Sequence, residues 1–295
     1  MTQHASTRTP RRKADSATCL QRIDRLWPRA QPLIMGILNR TPDSFADGGR
    51  NFDFDDSLQH AEEILVGGAD IIDVGGESTR PGADPVSVAE ELRRVVPVIT
   101  EIRRRWPDTV ISVDTSKVAV AEASLDAGAD LVNDVTAASA DAMLELVAGS
   151  NAGIVLMHMR GKPRTMQSNT AYANVVAEVH EHLRNRAAAA IAAGIPAQRV
   201  WLDPGIGFGK DDDGNLALLA ALPELAVMGH PVLVGPSRKS FIGRITGAEV
   251  GDRIPGTLAA IMPAVGIDRA VVRVHDAAAA FQFLEIASRL HEASA

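Results

Sequence analysis

Cysteine is almost absent from this chain: Cys19 is the only one among 295 residues. A single thiol excludes an intramolecular disulfide and favours a reducing compartment. Long apolar runs are also missing, since no stretch approaches the roughly 18 residues of a membrane-spanning helix. No apolar signal-peptide core follows Arg11 and Arg12. We therefore expect a cytoplasmic protein without a membrane partner.

Positive charge is scarce outside the first 30 residues. Residues 1–30 carry seven Lys or Arg against two Asp, whereas the remainder carries 23 against 35. A short basic stretch of this kind is more typical of a solvated terminus than of a nucleic-acid-binding surface. We predict a flexible tail over residues 1–30 that is dispensable for folding, a single folded domain over residues 31–295, and no nucleic-acid partner.

Short aliphatic runs alternate with longer stretches rich in Ala, Leu, Glu and Arg, which is the pattern of repeated βα units. Eight such runs lie at residues 32–38, 70–75, 109–114, 129–133, 152–157, 199–203, 231–235 and 270–274. Glycines in the segments GGAD and AGAD precede two of them, where helices end. The pattern predicts an α/β fold, a (β/α)₈ TIM barrel, with a doubly wound sheet as the alternative.

Polar residues lie at or just after the C-terminal end of every predicted strand, where barrel enzymes build their active sites. They are Asn39, Asp73, Glu77, Asp114, Asn133, Asp134, His158, Asp203, Ser237 to Lys239, Arg273 and His275. Four of them offer donors and acceptors suited to a flat heterocycle with an amide-like edge: Asp114, Asn133, Asp203 and Lys239. Arg273, His275 and Asn39 suit a phosphate or its metal, because an Asn carbonyl is a hard oxygen ligand appropriate to Mg²⁺.

Two motifs in the segment LDPGIGFGKDDDGN do not qualify as ligand sites. A phosphate-binding P-loop needs four residues between its glycines and a Ser or Thr after the Lys, where this chain has Asp211. An EF-hand needs Gly where Leu216 stands and Glu where Leu222 stands. We therefore expect neither a P-loop nor a calcium site.

Eight motifs in order resemble those of the dihydropteroate synthase family. They are MGILNRTPDSFADGG, DVGGESTRPGA, SVDT, LVNDV, MHMRGKPRTMQ, LDPGIGFGK, GPSRKSFIG and RVHD. The resemblance covers about residues 32–290. It implies a transferase of folate biosynthesis, a homodimeric barrel that joins 6-hydroxymethyl-7,8-dihydropterin diphosphate to para-aminobenzoate and releases diphosphate with the help of Mg²⁺.

The resemblance also implies roles for individual residues. The pterin would lie among Asp114, Asn133, Asp203 and Lys239, in a slot lined by Met157, Phe208 and Gly235. Asn39 would bind the metal, and Arg273 and His275 would hold the diphosphate, with Lys239, Arg273 and His275 as the catalytic groups. Phe45 and Asp47 in the first loop, and Thr79, Arg80 and Pro81 in the second, would close over the site, and Ser237 would face the aminobenzoate.

Three positions depart from the family pattern: Arg40, the segment Asp211 to Asn215, and Pro236. Arg40 faces inward and prevents metal binding, pairs with the diphosphate, or points away from Asn39 by strand alternation. Pro236 removes a backbone donor from a loop that should hold substrate. These departures leave open a paralogue that keeps the fold and a pterin pocket but has weak, lost or altered activity. A pterin-barrel methyltransferase is less favoured, because STRPG and SRK belong to the synthase pattern.

Overall fold

The computed structural model describes residues 16–40, 54–79, 82–161 and 164–294. Its strands are β1 Leu33–Asn39, β2 Ile71–Gly75, β3 Val110–Asp114, β4 Leu131–Asp134, β5 Gly153–Met157, β6 Val200–Asp203, β7 Val232–Val234 and β8 Ala270–Val274. Neighbours in sequence pair in parallel, and β8 pairs with β1, which closes the barrel. The predicted (β/α)₈ barrel is confirmed, because a doubly wound sheet would be open.

Helices cover the outside of the barrel. They are α1 Ser16–Asp24, α2 Phe54–Val66, α3 Val88–Arg105, α4 Val118–Asp126, α5 Asp141–Ser150, α6 Val175–Ala192, α7 Asp212–Ala220, α8 Leu222–Ala226, α9 Ser240–Thr246, α10 Ile254–Ile261 and α11 Ala277–Ser294. Helix α3 begins at an N-cap, because the Ser87 side chain accepts a hydrogen bond from Glu90 N at 3.2 Å. Within the described ranges, no helix combines the length and apolarity needed to cross a membrane.

Alternation along each strand separates two buried apolar layers. Residues of one parity, such as Ile34, Ile72 and Val113, pack against the helices in one large cluster. Residues of the other parity fill the barrel interior in a second cluster. Its strand members are Leu33, Met35, Ile71, Val110, Leu131, Val155, Trp201, Leu233 and Val271. Because side chains on a strand alternate sides, the next inward positions toward the C-terminal end lie directly above this layer.

The N-terminal end of the barrel is closed by α1, which corrects the predicted tail. Ile23 and Leu26 join the interior cluster, and the Trp27 ring meets the Trp201 ring edge-on with centroids 6.2 Å apart. The helix and the residues that follow it up to Arg29 therefore belong to the folded barrel, and of the predicted tail only residues 1–15 lie outside the described residues. Sequence reasoning overlooked the apolar positions of this segment because its basic charge dominated the composition.

Two carboxylates, one fully buried and one half-buried, explain why the GAD segments recur. Asp130, fully buried, accepts hydrogen bonds from Arg22 and Arg103, both at 2.6 Å, and from Ile111 N at 3.0 Å. Asp70 likewise accepts from the backbone N–H of a neighbouring strand, at 2.9 Å, and pairs with Arg29. Both arginines, Arg22 and Arg29, come from the N-terminal segment, which is thereby tied to the barrel by charge as well as by apolar contact.

Removing the Ile23 side chain tests this closure. Ile23 is 1% exposed, so Ile23→Ala should lower the free energy of unfolding by about 2–4 kcal/mol through lost burial and a residual cavity. Gln21→Ala, on the exposed side of the same helix, should change it by less than about 0.5 kcal/mol. Urea denaturation measures both. Equal stability of the full chain and of a chain beginning at Gln31 would contradict the assignment.

Candidate active site

Four inward positions stand side by side at the C-terminal ends of β1 to β4. Asn39 pairs in register with Gly75, Gly75 with Asp114, and Asp114 with Asn133. A Cβ atom on Gly75 would lie 3.5 Å from Asn39 Oδ1 and 3.5 Å from Asp114 Cβ. The missing side chain at Gly75 therefore leaves Asn39 and Asp114 facing each other across one strand.

Arg273 on β8 reaches across the barrel mouth to two carboxylates. Its Nε donates to Asp73 Oδ2 at 2.6 Å, and one terminal nitrogen donates to Asp114 Oδ2 at 2.7 Å. Asn133 Nδ2 donates to the same Asp73 oxygen at 3.1 Å. Asp73 is fully buried, so this oxygen ties β8 and β4 to β2 and fixes the side chains of Arg273 and Asn133.

Burial sets the protonation of this cluster. Desolvation raises the pKa of Asp114 to about 7, Arg273 opposes that rise, and the Asp73 charge adds to it. Burial works against the charge of Arg273 as well, but Asp73 and Asp114 outweigh it and raise the pKa of the guanidinium. The mouth therefore holds a permanent cation between two carboxylates, of which Asp114 takes up a proton readily.

Lys239 lies on the other side of the mouth, against the turn that follows β6. Its ammonium donates to the Ile206 carbonyl and lies 4.2 Å from the centre of the Phe208 ring. Burial lowers the pKa of Lys239 to about 7, and the Asp203 carboxylate opposes this shift. Burial also raises the pKa of Asp203, whose Oδ1 accepts from Gly205 N at 2.7 Å. Asp203 thus offers a hydrogen-bond acceptor at the mouth, and Lys239 offers a hydrogen-bond donor.

The remaining predicted pterin contacts lie between these groups. Met157 is buried at the end of β5, in register with Asp203. Gly235 follows β7, and a Cβ there would lie 3.6 Å from Arg273 Cβ. The structure therefore brings together Asp114, Asn133, Met157, Asp203, Phe208, Gly235, Lys239 and Arg273 around one barrel mouth.

His275 and Ser237 form a pair beside this mouth. The Ser237 hydroxyl lies 3.0 Å from His275 Nδ1 and accepts from His275 N at 3.2 Å. Pro236 does not disrupt this loop, because its carbonyl accepts from Lys239 N at 3.2 Å and closes the turn. Arg238 has a positive φ of 54°, and its side chain forms an ion pair with Asp276, just after β8. This ion pair is a second contact, beside the one between Ser237 and His275, that joins the loop after β7 to the end of β8.

The predicted covering loops are described only in part. Thr79 is half-buried in the loop after β2. Phe45, Asp47, Arg80 and Pro81 lie outside the described residues.

Arg40 points away from the mouth, as strand alternation requires. It is 6% exposed, and one terminal nitrogen lies 2.5 Å from Ser57 Oγ on α2. Its backbone N–H donates to Gly75 O at 2.7 Å. The two hypotheses that place Arg40 on the metal or diphosphate are therefore wrong, and the outward orientation is confirmed.

The second departure, the segment Asp211 to Asn215, starts α7. Asp211 caps the helix by accepting from Gly214 N at 2.8 Å. Asp212 pairs with Arg244 of α9 at 2.5 Å, and Asn215 Oδ1 accepts from Gly207 N at 2.6 Å. These side chains cap a helix and support the preceding turn, so the unusual sequence leaves the mouth intact.

Two residues of this site received no role from the sequence. Asp73 was visible as a polar strand end, and its parity with Ile71 would have placed it inside the barrel. Lys210 was considered only as a possible P-loop lysine, yet it is 1% exposed and contacts His158 and the turn after β6. Nothing in the sequence signals that this lysine is buried.

The raised pKa of Asp114 makes the free energy of unfolding depend on pH, and the sign of this dependence can be predicted. Its pKa in the folded protein, about 7, lies above the unfolded value of about 3.9. Between these values the folded state binds the additional proton, so this group lowers stability as pH rises, by at most about 1.4 kcal/mol per pH unit. The stability of the wild type minus that of Asp114→Asn should therefore fall from pH 4.5 to 7. Urea titrations at several pH values measure this difference, and a constant difference would contradict the shift.

Comparisons with known proteins agree with this geometry. Residues 35–275 match the family described as pterin binding enzyme. The dihydropteroate synthase of Neisseria meningitidis serogroup B is 48% identical over an alignment of 263 residues, which covers 87% of this chain and 92% of that protein.

Two solved structures resemble the whole barrel. The Yersinia pestis dihydropteroate synthase in complex with a sulfonamide drug has a TM-score of 0.85 and 41% identity, covering 89% of this chain and 95% of that one. The Xanthomonas albilineans dihydropteroate synthase with 4-aminobenzoic acid has a TM-score of 0.82 and 44% identity, covering 88% and 93%. With relatives this similar over most of both lengths, the chain belongs to the dihydropteroate synthase family of pterin-binding enzymes.

Proposed function

We propose that the barrel mouth binds 6-hydroxymethyl-7,8-dihydropterin diphosphate and para-aminobenzoate and condenses them to dihydropteroate in folate biosynthesis. The amine nitrogen forms a bond to the pterin methylene carbon, the bond from that carbon to the diphosphate oxygen breaks, and the amine releases one proton. The chain is a transferase of this family. The alternative of a paralogue without turnover is less favoured, because two of the departures that suggested it, Arg40 and the segment from Asp211 to Asn215, lie away from the mouth.

The convergence of four inward polar groups on one mouth carries this proposal. Asp114 and Asn133 stand on adjacent strands, and Asp203 and Lys239 stand opposite, all above an apolar layer. A pterin edge presents ring N–H, amino and carbonyl groups. Carboxylates accept from the first two, whereas the Lys239 ammonium and the Asn133 amide donate to the third. Arg273 forms ion pairs with both Asp114 and Asp73, and these ion pairs keep the recognition surface in place.

Charge stabilisation is the main chemical demand of the reaction, because negative charge grows on the diphosphate as the carbon–oxygen bond opens. Lys239 and Arg273 are the cations at the mouth, and His275 lies beside them next to Ser237. No general base is required to activate the aromatic amine, which is neutral at pH 7. These three residues are the proposed catalytic groups, with Arg273 oriented by its two carboxylates.

The residues present fit a magnesium ion that arrives with the diphosphate. Within the described chain, no group of three His, Cys, Asp or Glu side chains is close enough to hold a metal alone. Asn39 offers one oxygen at the mouth, and Mg²⁺ commonly takes one or two protein ligands, keeps waters and shares substrate phosphate oxygens. Mg²⁺ bound there would neutralise charge on the leaving group. Asn39 would orient that ion.

The loops supply the second substrate site. Ser237 would face the aminobenzoate, and Thr79, Arg80 and Pro81 would close over the site. Phe45 and Asp47 would complete the cover. Closure of such loops excludes water, which competes with the amine for the electrophilic carbon. We also propose a cytoplasmic homodimer, in which the exposed Ile286 and Leu290 of α11 contribute to the interface.

The reaction is tested by diphosphate release that requires both substrates. Asp203→Ala leaves the pterin edge without its acceptor and should weaken pterin binding by about 2–4 kcal/mol. Calorimetric titration with 6-hydroxymethylpterin measures this affinity. Unchanged affinity would refute the pterin site, and no diphosphate release by a wild type that binds both substrates would refute the function.

The metal role of Asn39 has a matched control in its neighbour. Asn39→Ala should raise the Mg²⁺ concentration for half-maximal activity about tenfold, because a ligand oxygen is lost. Arg40→Met, at the outward-pointing position directly after the same strand, should lower stability but leave that concentration within about twofold. Steady-state rates over a magnesium titration measure both. An equal shift in the two variants would show that Asn39 acts only through strand stability.

A further inference from the structure

Lys210 is a buried lysine in a shell of acceptors. Its Nζ lies 2.9 Å from His158 Nδ1, 3.1 Å from His158 O, 2.9 Å from Gly205 O and 3.0 Å from Phe208 O. Burial lowers the pKa of Lys210, whereas the nearby Asp203 charge favours the ammonium. An ammonium has three donors and no acceptor, so it suits this shell, in which four acceptors share three N–H groups. The His158 pKa is lowered to about 3 by burial and by Lys210, which leaves a neutral ring able to accept.

The acceptors of Lys210 belong to two elements that meet at the mouth. His158 follows β5, and the turn of residues 205–209 follows β6. Gly205 presses so closely on β5 that a Cβ there would lie 1.9 Å from His158 O, and its φ is 68°. Lys210 therefore joins both ends of the turn, Gly205 and Phe208, to the end of β5.

The same turn surrounds the side chain of Lys239. The Ile206 carbonyl accepts from the ammonium, and the Phe208 ring lies against it. Between them, Gly207 allows close approach, because a Cβ there would lie 2.8 Å from Lys239 Cδ. Three consecutive residues thus define where the Lys239 ammonium sits.

We propose that Lys210 is a positioning residue for pterin recognition, because its ammonium fixes the turn of residues 205–209 to β5 and thereby sets the place of Lys239 and Phe208. This inference rests on the proposed function, in which Lys239 and Phe208 contact the pterin. Lys210 itself does not touch substrate in this role. Loss of Lys210 should weaken binding of the pterin more than binding of the aminobenzoate, because the proposed contacts of the aminobenzoate lie on other loops.

The decisive experiment separates the two substrates. Lys210→Met keeps the length of the side chain but leaves four acceptors without their donor. It should raise the KM for the pterin diphosphate about tenfold, which corresponds to about 1.4 kcal/mol, and change the KM for para-aminobenzoate by less than about twofold. The Kd for 6-hydroxymethylpterin, measured by calorimetry, should rise with the first KM.

Arg244→Met is the matched control. Arg244 is a cation of the neighbouring α9 that pairs with Asp212 rather than with the turn, so both KM values should stay unchanged. A lower kcat for Lys210→Met with both KM values unchanged, or an equal rise of the two, would show a merely structural role and overturn the inference.

A second variant keeps the inference testable if Lys210→Met does not fold. Gln167 is exposed and donates to Gly207 O at 2.9 Å from the outer side of the turn. Gln167→Ala should raise the pterin KM about twofold to threefold without unfolding the chain. No change in that variant would then overturn the inference. The proposed function fails separately, if the wild type binds the pterin without turnover; the calorimetric Kd still tests Lys210 in that case.

Discussion

Side-chain alternation on eight parallel strands is the constraint on which the rest of this molecule depends. A residue that points into the barrel has no access to the helices, and its neighbour has no access to the interior. The inward set must therefore fill the closed lower part with apolar side chains, as Trp201 and Leu233 do. Charged inward residues of the strands lie toward the C-terminal end, which is where Asp114 and Asp203 stand.

The polar layer is costly to bury, and its members stabilise one another. Asp73 is fully buried next to Arg273, and its second carboxylate oxygen has no hydrogen-bond partner within the described residues. Loss of one partner in such a cluster leaves an uncompensated charge, which favours keeping Arg273 bonded to Asp73 and Asp114 before any substrate binds. Rigid donors and acceptors suit a flat heterocycle, because little reorganisation is then needed on binding.

Support for this layer comes from outside it. The buried Lys210 and Asn215 hydrogen-bond to the turn after β6, and the exposed Gln167 donates to the same turn. At the opposite end of the barrel, α1 seals the interior with Ile23 and carries Arg22 to Asp130. The polar groups at the mouth are thus supported by residues that lie around the mouth and at the opposite end of the barrel.

The sequence alone determined the eight strands, their order, and the polar character of their C-terminal ends, because alternating apolar runs and helix-ending glycines are local signals. Strand parity from Asn39 favoured an outward Arg40, one of the three outcomes that the sequence left open, and the contact with Ser57 decided between them. Only the tertiary structure decided which polar ends touch. The Arg273 contact with Asp73 spans 200 positions, and closure of the barrel brings the two together. Burial of Lys210 and the packing of residues 16–30 were decided in the same way, since both depend on surfaces that exist only after distant strands have assembled.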